Sequence, residues 1–165
     1  MAQLAGESTT RRTIGLGRHA WLVWAGISML FALFGLDDFR QGAATYGGGE
    51  RVLFEGISGT TWDALQASQP AVANMVDTLV RMSGIDLAIL GLLSLAIALT
   101  GVRRGERWAW RAMWALPLWL ITQIVVLTLA NKVPGAGVPV PVMSGTFLLV
   151  VTLPTLLLTY RAYNR

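Results

Sequence analysis

The chain has 165 residues, of which 54% are hydrophobic and only 13% are charged, with a formal net charge of +4. Soluble domains carry about 25% charged residues, so the composition excludes an ordinary soluble globule and predicts a membrane protein. The lack of cysteine excludes disulfides and thiolate metal sites, and the single histidine, His19, excludes a bis-histidine haem within one chain. We therefore expect no cofactor. The lipid bilayer, and not nucleic acid, is the expected partner, because most arginines flank apolar runs.

Four predominantly apolar runs follow one another along the chain. A bilayer core about 30 Å thick requires roughly 20 helical residues. The runs therefore predict membrane spans at about 20–36, 84–102, 108–131 and 142–160. The predicted fold class is all-α, a polytopic four-transmembrane-helix bundle that forms a single membrane domain, 1–165. Residues 37–83 are expected to form an extracytoplasmic loop and helix that cap the bundle between spans 1 and 2.

The basic residues predict the orientation of these spans. With the N-terminus inside, nine of the 13 Lys and Arg residues lie on the cytoplasmic side, as the positive-inside rule requires. Both termini are therefore expected in the cytoplasm, and the protein in a bacterial inner (cell) membrane. Thr10-Arg11-Arg12 resembles a twin-arginine export signal, but no small-residue cleavage site follows span 1. We interpret these arginines as a flank that retains the tail inside.

The long segment after span 1 contains several local signals. Gly47-Gly48-Gly49 predicts a flexible break, and Arg51–Glu55 predicts a short extended segment. Thr60, with Asp63 three residues later, predicts the N-cap and first turn of a short helix.

A second helix start is predicted at Ser68-Gln69-Pro70, with proline in the first turn. Val72, Met75, Val76, Leu79 and Val80 would share one face of this helix. The helix either lies along the membrane surface or continues, bent near Gly84, into span 2.

Small residues recur at intervals of three and four in the first two spans. In lipid, close helix packing relies on such residues, because they let two backbones approach. We predict that spans 1 and 2 pack face to face through one stripe on each, formed by Ala25, Ser28, Ala32 and Gly35 and by Gly84, Ala88, Gly91, Ser94, Ala98 and Gly101.

Tryptophans cluster near the predicted cytoplasmic ends of spans 1 and 3. We interpret them as interfacial anchors, with a quinone or pigment site as the alternative; they are Trp21, Trp24, Trp108, Trp110 and Trp114. Pro117 and Pro154 lie within spans and are expected to kink them.

Ionisable and polar groups at membrane depth are the candidates for chemistry, because a charge is costly there. Asp86, Gln123 and Arg81 form the candidate polar or ion path. Asp86 is read as a structural residue near the outer headgroups, able to pair with Arg81 or Arg40, or else as a proton or cation site. Gln123 is expected to make an interhelical hydrogen bond.

The carboxylates Asp37 and Asp38 lie at the exit of span 1. They are interpreted as hydrated caps of the helix, with a divalent-cation site as the alternative. No P-loop, dinucleotide fingerprint, zinc helix motif or nucleophile elbow is present in the sequence.

One stretch resembles a known group. Arg103-Arg104-Gly105-Glu106-Arg107-Trp108-Ala109-Trp110 is similar to the inner loop of uncharacterised small four-helix bacterial membrane proteins, which also carry a pattern like Gly59-Thr60-Thr61-Trp62 and Pro70. In size and helix count the chain looks like the DoxX-like group, some members of which are linked to quinol or thiosulfate oxidation. The resemblance implies a fold and supplies no active-site residue.

These observations predict a structural or accessory membrane protein without its own catalysis, acting as a homo-oligomer or as a subunit of a larger complex. A small transporter or channel formed by oligomerisation around Asp86 and Gln123 is one alternative. A quinone-linked redox protein is the other.

Overall fold

The computed structural model describes residues 2–44, 53–134 and 137–163, with side chains described for 19–44, 54–134, 137–160 and 163. These residues form helices and turns, and no strand is present among them. The helices are α1 (Ala2–Gln41), α2 (Leu53–Ser58), α3 (Trp62–Ser68), α4 (Pro70–Ile97), α5 (Arg107–Ala112), α6 (Ala115–Ala130) and α7 (Val140–Tyr163). The predicted all-α class is confirmed.

In the described part of the chain, four helical stretches are long and apolar enough to cross a membrane, which confirms the predicted four-helix architecture. They are His19–Gln41, Pro70–Val102, Arg107–Ala130 and Val140–Tyr160. We call the end of the bundle that carries Asp37 the cap end, and the opposite end, which carries Arg103, the basic end.

The four long helices pack in the order α4, α1, α7, α6. Helices α1 and α4 run antiparallel in contact along much of their length. A Cβ atom added to Gly91 would lie 2.8 Å from the carbonyl oxygen of Ser28, so only a residue without a side chain fits there. All residues of both predicted stripes are buried, except Ala25, which is half-buried. The glycines Gly35, Gly84 and Gly91 lie in this contact, whereas Gly101 packs against Ala109 and Trp108 of α5, so the stripe predicted to pack on α1 does not extend to it.

The cap begins differently from the sequence prediction. Leu53–Ser58 is helical, so the prediction of an extended segment through Glu55 is wrong; Gly47–Gly49, Arg51 and Val52 lie outside the described residues. The N-cap of α3 is Thr61, whose hydroxyl accepts from the amide of Ala64 at 3.1 Å. The prediction of Thr60 is wrong by one residue, because the backbone of Thr60 is engaged with the hydroxyl of Ser58.

A small apolar cluster holds the cap together. Ala43, Trp62 and Ala73 are buried in it, and the rings of Phe54 and Trp62 meet edge to face with centroids 5.4 Å apart. The carbonyl of Gly56 accepts hydrogen bonds from the amides of Lys132 and Val133, which fixes α2 to the end of α6. The cap is therefore packed against both the α1–α4 pair and the α6–α7 connection.

Helix α4 starts as predicted and continues without interruption. Pro70 occupies its first turn, after Gln69. The helix is continuous past Gly84, so the alternative of a separate surface helix is wrong. Val72, Met75 and Leu79 lie on its exposed side. The opposite side packs on α1 and is formed by the small residues.

The third crossing is interrupted before Pro117. Helix α5 ends at Ala112 and α6 begins at Ala115, with a turn at Met113 and Trp114. Proline has no amide hydrogen to donate to the carbonyl four residues earlier, that of Met113. The amide of Leu116 bonds to that carbonyl instead, at 3.3 Å. Pro154 lies inside the uninterrupted α7.

The basic end is closed by hydrogen bonds between elements. Helix α4 ends in a π-helical turn, Ala98–Val102, and the hydroxyl of Tyr163 donates to the carbonyl of Val102 at 3.0 Å. The indole of Trp110 donates to the hydroxyl of Thr159 at 3.2 Å. These bonds tie α7 to both α4 and α5.

Candidate functional site

A cavity lies in the cap half of the bundle, between α4 and α6. Helix α6 packs on α7 and α1 packs on α4, so a gap is left between the two pairs. The gap has a volume of about 490 Å³. Pockets of 300–1,000 Å³ are the usual size for drug-sized ligands.

The deep part of this cavity is apolar and aromatic. Phe31 of α1 and Trp119 of α6 meet edge to face at its floor, with ring centroids 5.4 Å apart. Leu87 and Leu148 complete the lower walls from α4 and α7. The aromatic pair also provides a contact between α1 and α6, and it separates the cavity from the packed basic end.

The mouth of the cavity carries its charged side chains, next to the apolar Val140 and Pro141 at the start of α7. Asp37 and Asp38 line it from α1 and Ser83 lines it from α4. The carboxylate of Asp37 accepts a hydrogen bond from the side-chain amide of Gln41 at 2.5 Å. Both carboxylates belong to the last turns of α1, which runs on to Gln41, and the helix therefore fixes their positions beside the opening.

Gln123 and Ser144 supply polar groups between mouth and floor. Gln123 lies on α6 between Trp119 and Leu127, a helical rise of about 12 Å that spans the depth of the cavity. Ser144 faces it from α7, with its hydroxyl bonded to the carbonyl of Val140 at 3.1 Å. The amide of Gln123 has both donors and an acceptor. The structure thus places this predicted polar residue in the wall of a cavity.

Arg81 lies outside this cavity and clamps the end of α1. Its guanidinium donates to the carbonyls of Phe39 and Arg40 at 2.7 and 2.9 Å, and it pairs with Asp77 at 2.7 Å. The predicted alternative of an Arg81–Asp86 pair is therefore wrong. A second cavity of about 400 Å³ beside Trp62 contains both members of the Arg81–Asp77 pair.

Asp77 completes this clamp from α4. Its other carboxylate oxygen accepts from the amide of Ala43 at 2.9 Å, directly after Gly42, which has a φ of 64°. The clamp fixes the end of α1, and with it the last-turn residues at the mouth of the larger cavity.

Asp86 is exposed on α4 and does not line either cavity. It directly precedes Leu87, which lines the larger cavity, but Asp86 itself is not part of that lining. The structure therefore does not bring Asp86 and Gln123 together within one chain.

The tryptophans at the basic end divide into packed and exposed ones. Trp24 and Trp110 are buried in the main core, whereas Trp108 is 53% exposed. Trp114 and Trp21 are half-buried; the ring of Trp114 meets that of Trp110, and the guanidinium of Arg103 lies 5.2 Å above the ring of Trp21. None of the five lines either cavity.

Sequence reasoning missed the residues that make the cavity. Phe31, Trp119 and Ser144 carry no motif, and each fits an ordinary span. Gln123 could have indicated these residues, because Trp119 and Leu127 lie four residues to either side of it on the same helical face. Nothing in the sequence identified α4 as the opposite wall.

Among the described residues, no group of three or more His, Cys, Asp or Glu side chains is placed to hold a metal ion. The chain matches no known protein family, no curated protein and no solved structure. Its geometry therefore carries the functional argument.

Proposed function

We propose that this chain is an accessory membrane protein, without catalysis of its own, that binds a small amphipathic molecule in the cavity between α4 and α6. The observation that carries the proposal is the cavity itself, which combines an apolar floor with charged side chains at its mouth. Most ligand sites share this design, in which apolar walls supply affinity and a few polar groups fix orientation.

The closed basic end supports binding over conduction. Below the Phe31–Trp119 pair, Trp24, Met113 and Leu116 are at most 1% exposed. A channel needs a continuous polar path, and the cavity ends at the aromatic pair. Transport by an oligomer remains an alternative, for which flux in liposomes is the test.

The proposed setting is a bacterial inner membrane with both termini in the cytoplasm and the cap end outside. The basic residues on the loop between α4 and α5 support this orientation through the positive-inside rule. The cavity would then open towards the outer headgroups. A homo-oligomer or a larger membrane complex stays a prediction, as does the DoxX-like resemblance.

Binding of a neutral amphipathic dye, N-phenyl-1-naphthylamine, to the protein in lipid nanodiscs tests the proposal. We expect saturable fluorescence enhancement that is lost in Ser144→Phe, because the new ring fills the cavity. Thr146→Phe is the matched control: Thr146 is also exposed on α7 and also bonds to the carbonyl four residues earlier, but it does not line the cavity.

Equal dye binding by wild type and both variants would contradict the proposal. A lipid extract of the purified protein provides the second measurement. Stoichiometric quinone that undergoes reduction on the protein would replace the non-catalytic proposal with the quinone-linked alternative.

A further inference from the structure

The charge distribution around the cavity identifies a class of ligand. We infer that the ligand is a free amphipathic monocation, with its charge between Asp37 and Asp38 and its apolar part against Trp119 and Leu87. This inference rests on the proposed function, and it adds the sign of the ligand's charge and the direction in which the ligand is held.

The lining is acidic at one end only. Asp37 and Asp38 are its charged members, and among the described residues that line the cavity none is Lys, Arg or His. A low-dielectric wall strengthens the field of the charges at its rim. A cation at the mouth therefore gains attraction from both carboxylates while it keeps contact with water.

The apolar floor determines the rest of the ligand. Phe31, Trp119, Leu87 and Leu148 offer no charged partner, so the deep part of the ligand must be apolar. Aromatic faces also tolerate a cationic group at close range. The depth of about 12 Å between Trp119 and Leu127 accommodates a ligand whose charge and apolar body are separated along its length.

Two other occupants fit less well. A bare divalent cation requires six to eight oxygen ligands, and below the mouth this cavity presents mostly hydrocarbon. A phospholipid carries a phosphate, which would lie beside Asp37 and Asp38 without a described basic residue in the lining to neutralise it. A free molecule with a single positive charge avoids both costs.

The test is displacement of N-phenyl-1-naphthylamine by two ions of the same shape and opposite charge, tetraphenylphosphonium and tetraphenylborate. The full chain is used in nanodiscs of neutral lipid. We expect the phosphonium to displace the dye at a concentration roughly tenfold below that required for the borate. Changing both Asp37→Asn and Asp38→Asn should reduce this ratio to about one.

Removal of the same charge elsewhere is the control. Asp63→Asn combined with Asp86→Asn removes two carboxylates that do not line the cavity, and we expect the tenfold preference to persist. A loss of preference in this control would assign the effect to general surface charge and would overturn the inference.

The two proposals fail in different ways. Dye binding with equal displacement by both ions in the wild type would overturn the cation inference and leave the binding function standing. Absence of saturable dye binding would overturn the binding function itself. The ratio of the borate and phosphonium concentrations that displace the dye is measured on the wild-type protein. The inference can therefore still be refuted if a variant fails to fold.

Discussion

Gly35 of α1 and Gly84 of α4 meet backbone to backbone: a Cβ atom on Gly84 would lie 2.7 Å from the carbonyl oxygen of Gly35. The same added atom would lie 3.0 Å from the Cβ of Asp38. The contact therefore holds α1 and α4 together as one rigid wall of the cavity. It also places the carboxylate of Asp38 beside α4 at the mouth.

A leucine at Gly91 should separate this pair. The new side chain would meet the backbone of Ser28 and Ala32, and overpacking of this kind costs about 2 to 3 kcal/mol. We expect a clear drop in the midpoint of thermal unfolding in detergent. Gly26→Leu is the matched control, because an added Cβ there has no atom within 4 Å. Equal midpoints for both variants would refute the packing described for α1 and α4.

The clamp of Arg81 on the end of α1 should control the local stability of that end. Arg81→Gln removes the ion pair with Asp77 and the donors to the carbonyls of Phe39 and Arg40. We expect faster amide hydrogen exchange at Gly42 and Ala43, because local opening becomes easier. Arg104→Gln, on the exposed loop at the basic end, should leave this exchange unchanged. Unaltered exchange in Arg81→Gln would show that the clamp contributes nothing.

The hydrogen bond from Tyr163 to Val102 should contribute to stability at the basic end. Tyr163→Phe keeps the ring and leaves the carbonyl without this donor, at a cost of about 1 kcal/mol. Tyr160→Phe is the control, since Tyr160 is 54% exposed and its ring contact with Trp110 is retained. Chemical unfolding in detergent measures both. A larger loss in Tyr160→Phe would contradict the assignment.

The same tyrosine predicts a dependence on pH. Burial raises the pKa of Tyr163, so its hydroxyl stays protonated in the folded protein where an unfolded tyrosine already ionises. The associated stability is present below the ordinary tyrosine pKa of about 10 and is lost as the pH rises through the raised pKa. Wild type should therefore lose more stability between pH 9 and 11 than Tyr163→Phe. Identical slopes would contradict this.

The membrane helices could be predicted from sequence because each is encoded locally. Each apolar run is long enough to cross a bilayer. Pro70 indicates the start of α4, because proline is favoured in the first turn of a helix. Spacing of three and four likewise pointed to Gly35, Gly84 and Gly91 between α1 and α4, since the close approach needs small side chains on both helices, but it also included Gly101, which packs on Trp108.

The cavity could not be predicted, because it depends on which helices fail to touch. Trp119 reads as an ordinary span residue unless α6 is known to lie away from α4. Trp24 and Trp108 look alike in sequence, although one is buried and the other exposed. Asp86 was a functional candidate because charges within a membrane span usually have a function. The direction of its side chain, however, depends on which face of α4 packs on α1, and the sequence does not give this.

The most direct test of the cavity is the reaction of a single cysteine at position 123 with a water-soluble, membrane-impermeant methanethiosulfonate reagent. The chain contains no cysteine, so Gln123→Cys provides one labelling site, and the reagent needs a hydrated thiolate. Val126→Cys is the control, because Val126 is 54% exposed on the same helix but lies outside the cavity. We predict that Gln123→Cys reacts in the folded protein, faster with a cationic than with an anionic reagent, and that Val126→Cys, facing lipid, does not. A folded Gln123→Cys that reacts only after denaturation would contradict an open cavity and the function proposed for it.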